Sequence, residues 1–362
     1  MRILHFINNI DLSWYTMLLD TLHAQERQGH EVLIVVPPGG VNYQRLKQDG
    51  ANVMPLEVRS SKFDYYAAWR LSQILKEKNI DILHAHLTSS AQLGSAAARM
   101  AGTPCVASVL KITKKHRYMK CDRIMPCSEA VMDNLRRQSV PEKFMRRVYT
   151  GIDFNRYKEG LESKENAREE FGFAADAEVI GVIARLVHMK GHSVLLSAFP
   201  AVAARRPAAR LLIVGDGELR QPLEQQAAEL GIANKIVFAG TRRDLPRMLN
   251  TLDVSVLSSV EKEGLPVILV EAALFGRPAV MTDVAGIREI VRDRETGLLV
   301  PPNDPKALGE ALIEALEKPG EAADRAAMAR EFVIREFDVN NTSRQIEEVY
   351  LDVISKKSKG GK

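Results

Sequence analysis

Cysteine is scarce in this chain: Cys105, Cys121 and Cys127 are the three in 362 residues. Their number is odd and their spacing is not that of zinc ligands. A disulfide framework is therefore not expected, and a reducing, cytoplasmic setting is. Long apolar runs are lacking as well. No stretch of eighteen apolar residues occurs, so no transmembrane helix is expected. The opening Met1-Arg2-Ile3-Leu4-His5-Phe6-Ile7 is too short an apolar segment for a signal peptide and reads as a first strand. No short internal repeat is present.

A large net charge is missing too, at +4, but that small value hides an asymmetry. The first 150 residues hold 21 Lys and Arg against 13 Asp and Glu, a net of +8; the remainder holds 29 against 33, a net of −4. Much of the excess lies in Lys111, Lys114, Lys115, Arg117, Lys120 and Arg123, and in Arg136, Arg137, Lys143, Arg146 and Arg147. Such a face suits an anionic membrane surface, a phosphorylated acceptor or nucleic acid, and is equally the composition of a solvated basic surface.

Short apolar runs alternate with helical patterns throughout, the signature of parallel sheets with crossover helices. Strands are expected at residues 2–7, 31–36, 53–55, 82–85, 106–109 and 123–125, with helices including 15–28, 64–78 and 89–101. A second series follows residue 175: strands at 179–184, 210–214, 235–238, 254–257, 279–281 and 297–300, and helices near 193–205, 219–230, 266–275 and 305–317. Two consecutive doubly wound units result. Residues 156–168 read as their connection, and a last helix near 340–354 as one that packs back on the first unit. The Lys-rich tail 356–362 reads as irregular. Ligands of open α/β sheets bind beyond the carboxyl ends of the strands, so two such units are expected to face each other across a ligand cleft.

The segment Glu263-Gly264-Leu265-Pro266-Val267-Ile268-Leu269-Val270-Glu271 places two carboxylates eight positions apart. Pro266 near its start and Gly276 past its end mark the apolar run as a helix. The turn ahead of that helix offers free N–H groups and the positive end of a dipole, which suits a phosphate. Glu271, a turn and a half inside, needs hydrogen-bond donors if buried. Earlier, Ala184-Arg185-Leu186-Val187-His188-Met189-Lys190-Gly191 follows a predicted strand. Arg185 as a fork and Lys190 as a point charge suit a diphosphate, or are ordinary loop cations. Gly215-Asp216-Gly217-Glu218-Leu219-Arg220 lacks the third glycine of a dinucleotide loop and reads as a strand-to-helix turn. His84 and His86 end a predicted strand and share one face of it.

Taken together, these pieces resemble the retaining nucleotide-sugar glycosyltransferases of family 4. The carrying residues are Arg185, Lys190-Gly191, Val214-Gly215-Asp216-Gly217-Glu218, Val237-Phe238-Ala239-Gly240 and Glu263-Gly264-Leu265-Pro266…Glu271-Ala272. Thr150-Gly151-Ile152-Asp153, Gly286-Ile287-Arg288-Glu289 and Gly297-Leu298-Leu299-Val300-Pro301 match as well, in family order over about residues 150 to 305. The first half matches more loosely, through Gly29-His30-Glu31-Val32 and Asp81-Ile82-Leu83-His84-Ala85-His86. The resemblance implies an α/β GT-B fold: two Rossmann-like domains facing across a cleft. An acceptor-binding domain would span residues 1–155, a nucleotide-sugar-binding domain 156–339, and a returning helix with its tail 340–362.

It also implies roles. Arg185 and Lys190 would neutralise the donor diphosphate. Glu271 would accept from the ribose hydroxyls. Glu263 would touch the transferred sugar, helped by the N–H groups of Gly264, Leu265 and Pro266's turn. Arg242 or Arg243 would lie near the base. Arg185, Lys190 and Glu263 are thus the catalytic candidates, and Ser13, His86 and Lys111 the acceptor-side candidates. The two glutamates read as binders, not as a nucleophile and acid pair. Front-face attack, with a donor phosphate oxygen taking the acceptor proton, fits. The Asp-any-Asp metal signature does not occur at a cleft-facing loop, so no metal or other cofactor is implied. UDP-sugar is the favoured donor by family frequency. The expected acceptor is a glycan or a lipid-linked acceptor of bacterial lipopolysaccharide or surface polysaccharide. The basic first domain would rest on the inner membrane face, with nucleic acid not expected.

Two departures from the family lie in the first half. Leu12-Ser13 stands where many members keep Gly-Gly. Leu110-Lys111 stands where many place a His. These leave open a second reading, a catalytically weak nucleotide-sugar-binding assembly partner. An epimerase or phosphorylase on the same architecture is disfavoured by the intact Glu263/Glu271 pair.

Overall fold

The computed structural model describes residues 1–8, 15–39, 41–59, 64–157, 163–261 and 263–360. The chain forms two compact units: Met1–Asp153 joined by Phe337–Lys362, and Phe154–Glu336.

The first unit runs β1 (Arg2–Ile7), α1 (Tyr15–Arg27), β2 (Glu31–Val36), α2 (Val41–Gln48), β3 (Val53–Pro55), α3 (Tyr65–Glu77), β4 (Ile82–His86), α4 (Leu87–Ala101), β5 (Cys105–Val109), β6 (Arg123–Pro126) and α5 (Glu129–Arg137). Its strands are all parallel, in the order β3-β2-β1-β4-β5-β6. Ends are set locally. Asp64 caps α3 by accepting from the Ala67 N–H, and Ser128 caps α5 through that of Val131. Gly102 ends α4 in the left-handed conformation. The central strands β1, β2 and β4 are buried along nearly their whole length, as a parallel sheet covered on both faces requires.

The second unit runs α6 (Lys164–Glu169), β7 (Glu178–Ile183), α7 (His192–Arg205), β8 (Ala209–Val214), α8 (Arg220–Glu229), β9 (Ile236–Gly240), α9 (Leu245–Thr251), β10 (Val254–Leu257), α10 (Val267–Leu274), β11 (Ala279–Thr282), β12 (Leu298–Val300), α11 (Pro305–Glu317) and α12 (Pro319–Glu336). Its sheet order, β12-β11-β10-β7-β8-β9, repeats that of the first unit read from the other edge. In both, the order reverses beside the unit's first strand, between β1 and β4 and between β7 and β10. Those two switch points are where an open α/β sheet leaves a crevice at its carboxyl end.

The final helix, α13 (Val339–Gly360), belongs to the first unit. Ile346, Val349, Tyr350 and Val353 bury themselves against Ile3, Ile82, Val106, Met125 and Val148. Each such side chain is worth ~1.5–3 kcal/mol relative to exposure, so α13 is part of that core. It also extends further than the sequence suggested. The lysines at 356 and 357 continue the helix: Lys356 pairs with Asp352 one turn back, and Lys357 Nζ donates to the Thr103 carbonyl at 2.9 Å.

Of residues 156–168, expected as a connection, Lys164 to Arg168 lie in α6 of the second unit. The Arg168 guanidinium is buried, paired with Asp253 and donating to the Thr251 carbonyl at 3.1 Å. Among the described residues no helix is long and apolar enough to cross a membrane.

Candidate functional site

Arg185 and Lys190 both follow β7. The side chain of Arg185 is exposed and forms no ion pair among the described residues. Lys190 closes a short turn, and Gly191 after it adopts φ +63° to start α7. A Cβ on Gly191 would stand 2.0 Å from the Ser258 carbonyl oxygen, so glycine lets the loops after β7 and β10 touch. That contact brings Lys190 to Glu263: Nζ lies 2.6 Å from Oε1, with both side chains largely buried. Ser259 Oγ donates to the same oxygen at 2.6 Å. The turn is held from its other side by Gly286. At φ +90° its Cα lies where an added Cβ would be 2.6 Å from the carbonyls of Glu263 and Gly264. The Glu263 N–H donates to the Ala285 carbonyl at 3.1 Å.

Gly264, Leu265 and Pro266 then lead into α10. Pro266 is its N-cap and no side chain caps the helix. In its first turn the Leu269 N–H is taken by the Pro266 carbonyl at 3.0 Å, and the positive dipole end that attracts an anion remains. One turn further in, Glu271 is buried. Burial pushes its carboxyl up from 4.5 to about 7, opposed by the Tyr157 hydroxyl and by the nearby Arg156 charge. The Tyr157 hydroxyl donates to Glu271 Oε1 at 2.6 Å. Burial, the Glu271 charge and this bond in turn raise the Tyr157 phenol well above its usual range.

Arg242 lies in the loop between β9 and α9. Its guanidinium donates to Asp244 at 2.6 and 2.9 Å and is paired with Glu170, an ion-pair clamp between α6 and α9. Neighbouring Arg243 is the exposed one. Residues 215–219 are the strand-to-helix turn the sequence suggested, joining β8 to α8.

In the first unit, Ser13 lies outside the described residues, with Leu12 and Trp14. His86 ends β4 and is buried within a chain of hydrogen bonds. The Gln25 carbonyl can only accept, so His5 Nε2, 2.8 Å away, carries its hydrogen. His5 Nδ1 then accepts from His86 Nε2 at 2.8 Å. Gln25 Nε2 donates to the Tyr350 hydroxyl at 3.3 Å, and His84 is hydrogen-bonded through Nδ1 to the Tyr350 hydroxyl and through Nε2 to Ser108 Oγ, both at 2.7 Å. His84 and His86 stack with ring centroids 4.1 Å apart, as their spacing on one strand face requires. Burial lowers all three imidazoles, His5 to about 4 and His84 and His86 well below their usual range. All three are therefore neutral near pH 7. One nitrogen from each lies within 4.8 Å of the others, yet both nitrogens of His5 and of His84 are already engaged. Beside His84 and His86 is a cavity of about 30 Å³, bounded also by Ser108, Leu110 and Thr150, with room for a water molecule. Lys111, one residue on, is exposed.

Tyr157, Ser259, His5 and Tyr350 were not singled out in the sequence. His5 had a readable signal: it is the register partner of His84 across the β1/β4 switch point. The others reach their partners only through the fold.

The family described as Glycosyl transferases group 1 matches residues 163–332, and that described as Glycosyltransferase Family 4 matches residues 16–156. The D-inositol 3-phosphate glycosyltransferase of Corynebacterium urealyticum is 33% identical over 56% of this chain and 50% of its own. The chain spans about half the length of several curated relatives it matches, this one included. The phosphatidyl-myo-inositol mannosyltransferase of Mycobacterium leprae is 26% identical over 94% of this chain and 93% of its own. Among solved structures, Anabaena HepE in complex with UDP and glucose superposes with a TM-score of 0.86 at 22% identity, over 97% of this chain and all of HepE. With one matched family on each unit and this fold, the chain belongs to glycosyltransferase family 4 and has the GT-B fold.

Proposed function

We propose that this chain transfers a hexose, with retention at the anomeric carbon and without a metal, from a UDP-sugar to a glycan or lipid-linked acceptor of bacterial lipopolysaccharide or surface polysaccharide. The observation that carries the reading is the cluster at the β7/β10 switch point. Exposed Arg185, the Lys190–Glu263–Ser259 group, the uncapped N-terminus of α10 and buried Glu271 are consecutive features of one sheet end. The HepE complexes, which contain UDP with glucose or UDP-glucose, support UDP as the donor nucleotide.

Breaking a sugar–diphosphate bond builds negative charge on the leaving phosphate. Arg185, Lys190 and the N–H groups of Gly264, Leu265 and the first turn of α10 stabilise that charge where it forms. Lys190 is shared between this task and Glu263, so donor binding would loosen the pair and turn the Glu263 carboxylate toward the sugar hydroxyls. Glu271 accepts from the ribose hydroxyls. The acceptor attacks from the face the diphosphate leaves, and a donor phosphate oxygen takes its proton. Arg242, held by Asp244 and Glu170, serves its clamp; exposed Arg243 is the cation left for the base. On the acceptor side we assign His86 to a positioning role through its neutral, donating ring, with Ser13 and Lys111 as acceptor contacts. The enzyme would work in the cytoplasm, at the inner face of the membrane.

Calorimetric titration of UDP, GDP, ADP and CMP into the wild type, Glu271→Ala and Arg185→Ala tests the donor site without knowledge of the acceptor. Selective UDP binding, lost in Glu271→Ala, is expected, with slow UDP-sugar hydrolysis that Arg185→Ala abolishes at unchanged fold stability. UDP binding without any turnover would leave the assembly-partner reading in its place. No nucleotide binding would overturn the donor site.

A further inference from the structure

The first unit carries a second concave feature, separate from the histidine cavity. It is an open groove of about 620 Å³ walled by Lys111, Ile112, Thr113, Lys114, Arg117, Asn134, Arg137 and Gln138. Four of these eight residues are cations. None pairs with a carboxylate among the described residues, although the surrounding surface neutralises its other arginines. Arg136 is paired with Glu129, Asp133 and Glu142, Arg147 with Glu129, Arg146 with Glu348 and Arg123 with Asp352. Carboxylates are therefore at hand, and the fold spends them outside the groove.

The walls are also fixed before any ligand arrives. Asn134 Nδ2 and Gln138 Nε2, both from the end of α5, donate to the Thr113 carbonyl at 2.8 Å. Gln138 Oε1 accepts the Lys115 N–H at 2.8 Å. The loop after β5 is thus clamped to a helix by three hydrogen bonds from uncharged amides. Four like charges held in one concavity repel one another, an arrangement that an anion relieves. Arginine forks and lysine point charges together suit phosphate oxygens. The volume lies in the range of small-molecule sites. The groove begins at Lys111, directly after the carboxyl end of β5 and next to Leu110, which lines the histidine cavity.

We propose that this groove binds a diphosphate-bearing group, that of the acceptor if the glycosyltransferase reading above holds, on which this assignment to an acceptor rests. Lys111, Lys114 and Arg117 from the loop and Arg137 from α5 hold the phosphate oxygens. The chemistry is shared by a lipid-linked diphosphate and a free one, and the groove is distinct from the donor-diphosphate cations Arg185 and Lys190 of the second unit.

The test uses the full chain. Geranyl diphosphate and inorganic pyrophosphate are titrated calorimetrically into the wild type, the Lys111→Gln/Lys114→Gln/Arg117→Gln variant and Arg185→Ala. The groove variant changes exposed or half-exposed side chains only, and its thermal melt verifies folding. The expected result is a loss of diphosphate affinity of at least tenfold, at roughly tenfold for each strong charge-assisted contact removed. UDP affinity stays as in the wild type, and Arg185→Ala retains the groove site. Stronger binding of geranyl diphosphate than of pyrophosphate identifies a lipid-linked source; equal binding identifies a free one. A loss confined to Arg185→Ala overturns the proposal, because the only diphosphate site is then the donor's. So does binding solely to phosphatidylglycerol vesicles that Lys120→Gln/Lys143→Gln, outside the groove, weakens as much as the groove variant does. If UDP fails to bind while diphosphate still binds in the groove, the donor reading falls and the groove stands.

Discussion

Replacing Tyr157 by Phe isolates the electrostatics of Glu271. Burial holds this carboxyl at about 7 in place of 4.5, a penalty of ~3 kcal/mol on the ionised form. The folded protein therefore binds this proton more tightly than the unfolded chain. The contribution to stability is greatest below 4.5 and declines as pH rises toward 7, where the native group gives up its proton. The Tyr157 hydroxyl, 2.6 Å from Oε1, is the bond that limits the decline. A hydrogen bond to a charged acceptor is worth about twice one to a neutral acceptor. Tyr157→Phe should thus cost ~1 kcal/mol near pH 5, where Glu271 is neutral, and ~2–3 kcal/mol near pH 8, where the bare carboxylate is left in a dry site. Both tryptophans, Trp14 and Trp69, fall in the first unit, so urea unfolding of the second must be followed by circular dichroism. A deficit that is the same at every pH, or no deficit at all, would refute the reasoning.

Three further outcomes follow from the geometry. The histidine cluster should make the first unit acid-labile. His5, at about 4 when folded against 6.5 when free, stays neutral while the unfolded chain takes up a proton, removing ~2 kcal/mol near pH 5; His84 and His86 add in the same direction, and tryptophan-monitored unfolding that is equally stable near pH 7 and pH 5 would contradict this. Gly191→Ala should destabilise the second unit by ~2–4 kcal/mol and abolish nucleotide binding, since φ is +63° and the new Cβ meets the Ser258 carbonyl; a variant with wild-type UDP affinity would show that the loop gives way freely. Arg168→Met should cost ~1–3 kcal/mol by removing one charge-assisted bond from the half-buried Asp253, which keeps its pair with Lys164, measured as a drop in the denaturant midpoint of the second unit.

The fold was largely legible. In a parallel sheet every strand is an apolar run between turn residues, and the observed strands begin and end within two residues of the expected ones. The helices that escaped notice are short and polar, except α12, whose eighteen residues bury mostly alanines and so give little apolar contrast. α5 buries only Val131 and Leu135, too few to set a period, and α9 spans seven residues. The Glu263–Glu271 segment was readable because a buried carboxylate in an apolar run is costly and therefore conspicuous. Its partners were not, because Tyr157 reaches Glu271 across 114 positions and Tyr350 reaches His84 across 266. The partners of Arg242 were hidden for the same reason, since Glu170 pairs with it across 72 positions.

The placement of α13 has a consequence for how the chain is made. The second unit, 154–336, is an uninterrupted insertion in the first. Where the chain leaves and re-enters the first unit, Ile152 and Asp338 are bridged in parallel, with the Ile152 N–H donating to the Phe337 carbonyl at 2.8 Å. As the polypeptide emerges from the ribosome, the second unit has all of its strands once residue 336 is out. The first unit at that moment still lacks Tyr350, the partner of buried His84, and Ile346, Val349 and Val353, which pack with it against Ile3 and Ile82. The half that begins first in sequence is thus completed last, and truncation within α13 would expose an unfinished sheet in a chain whose other half is already folded.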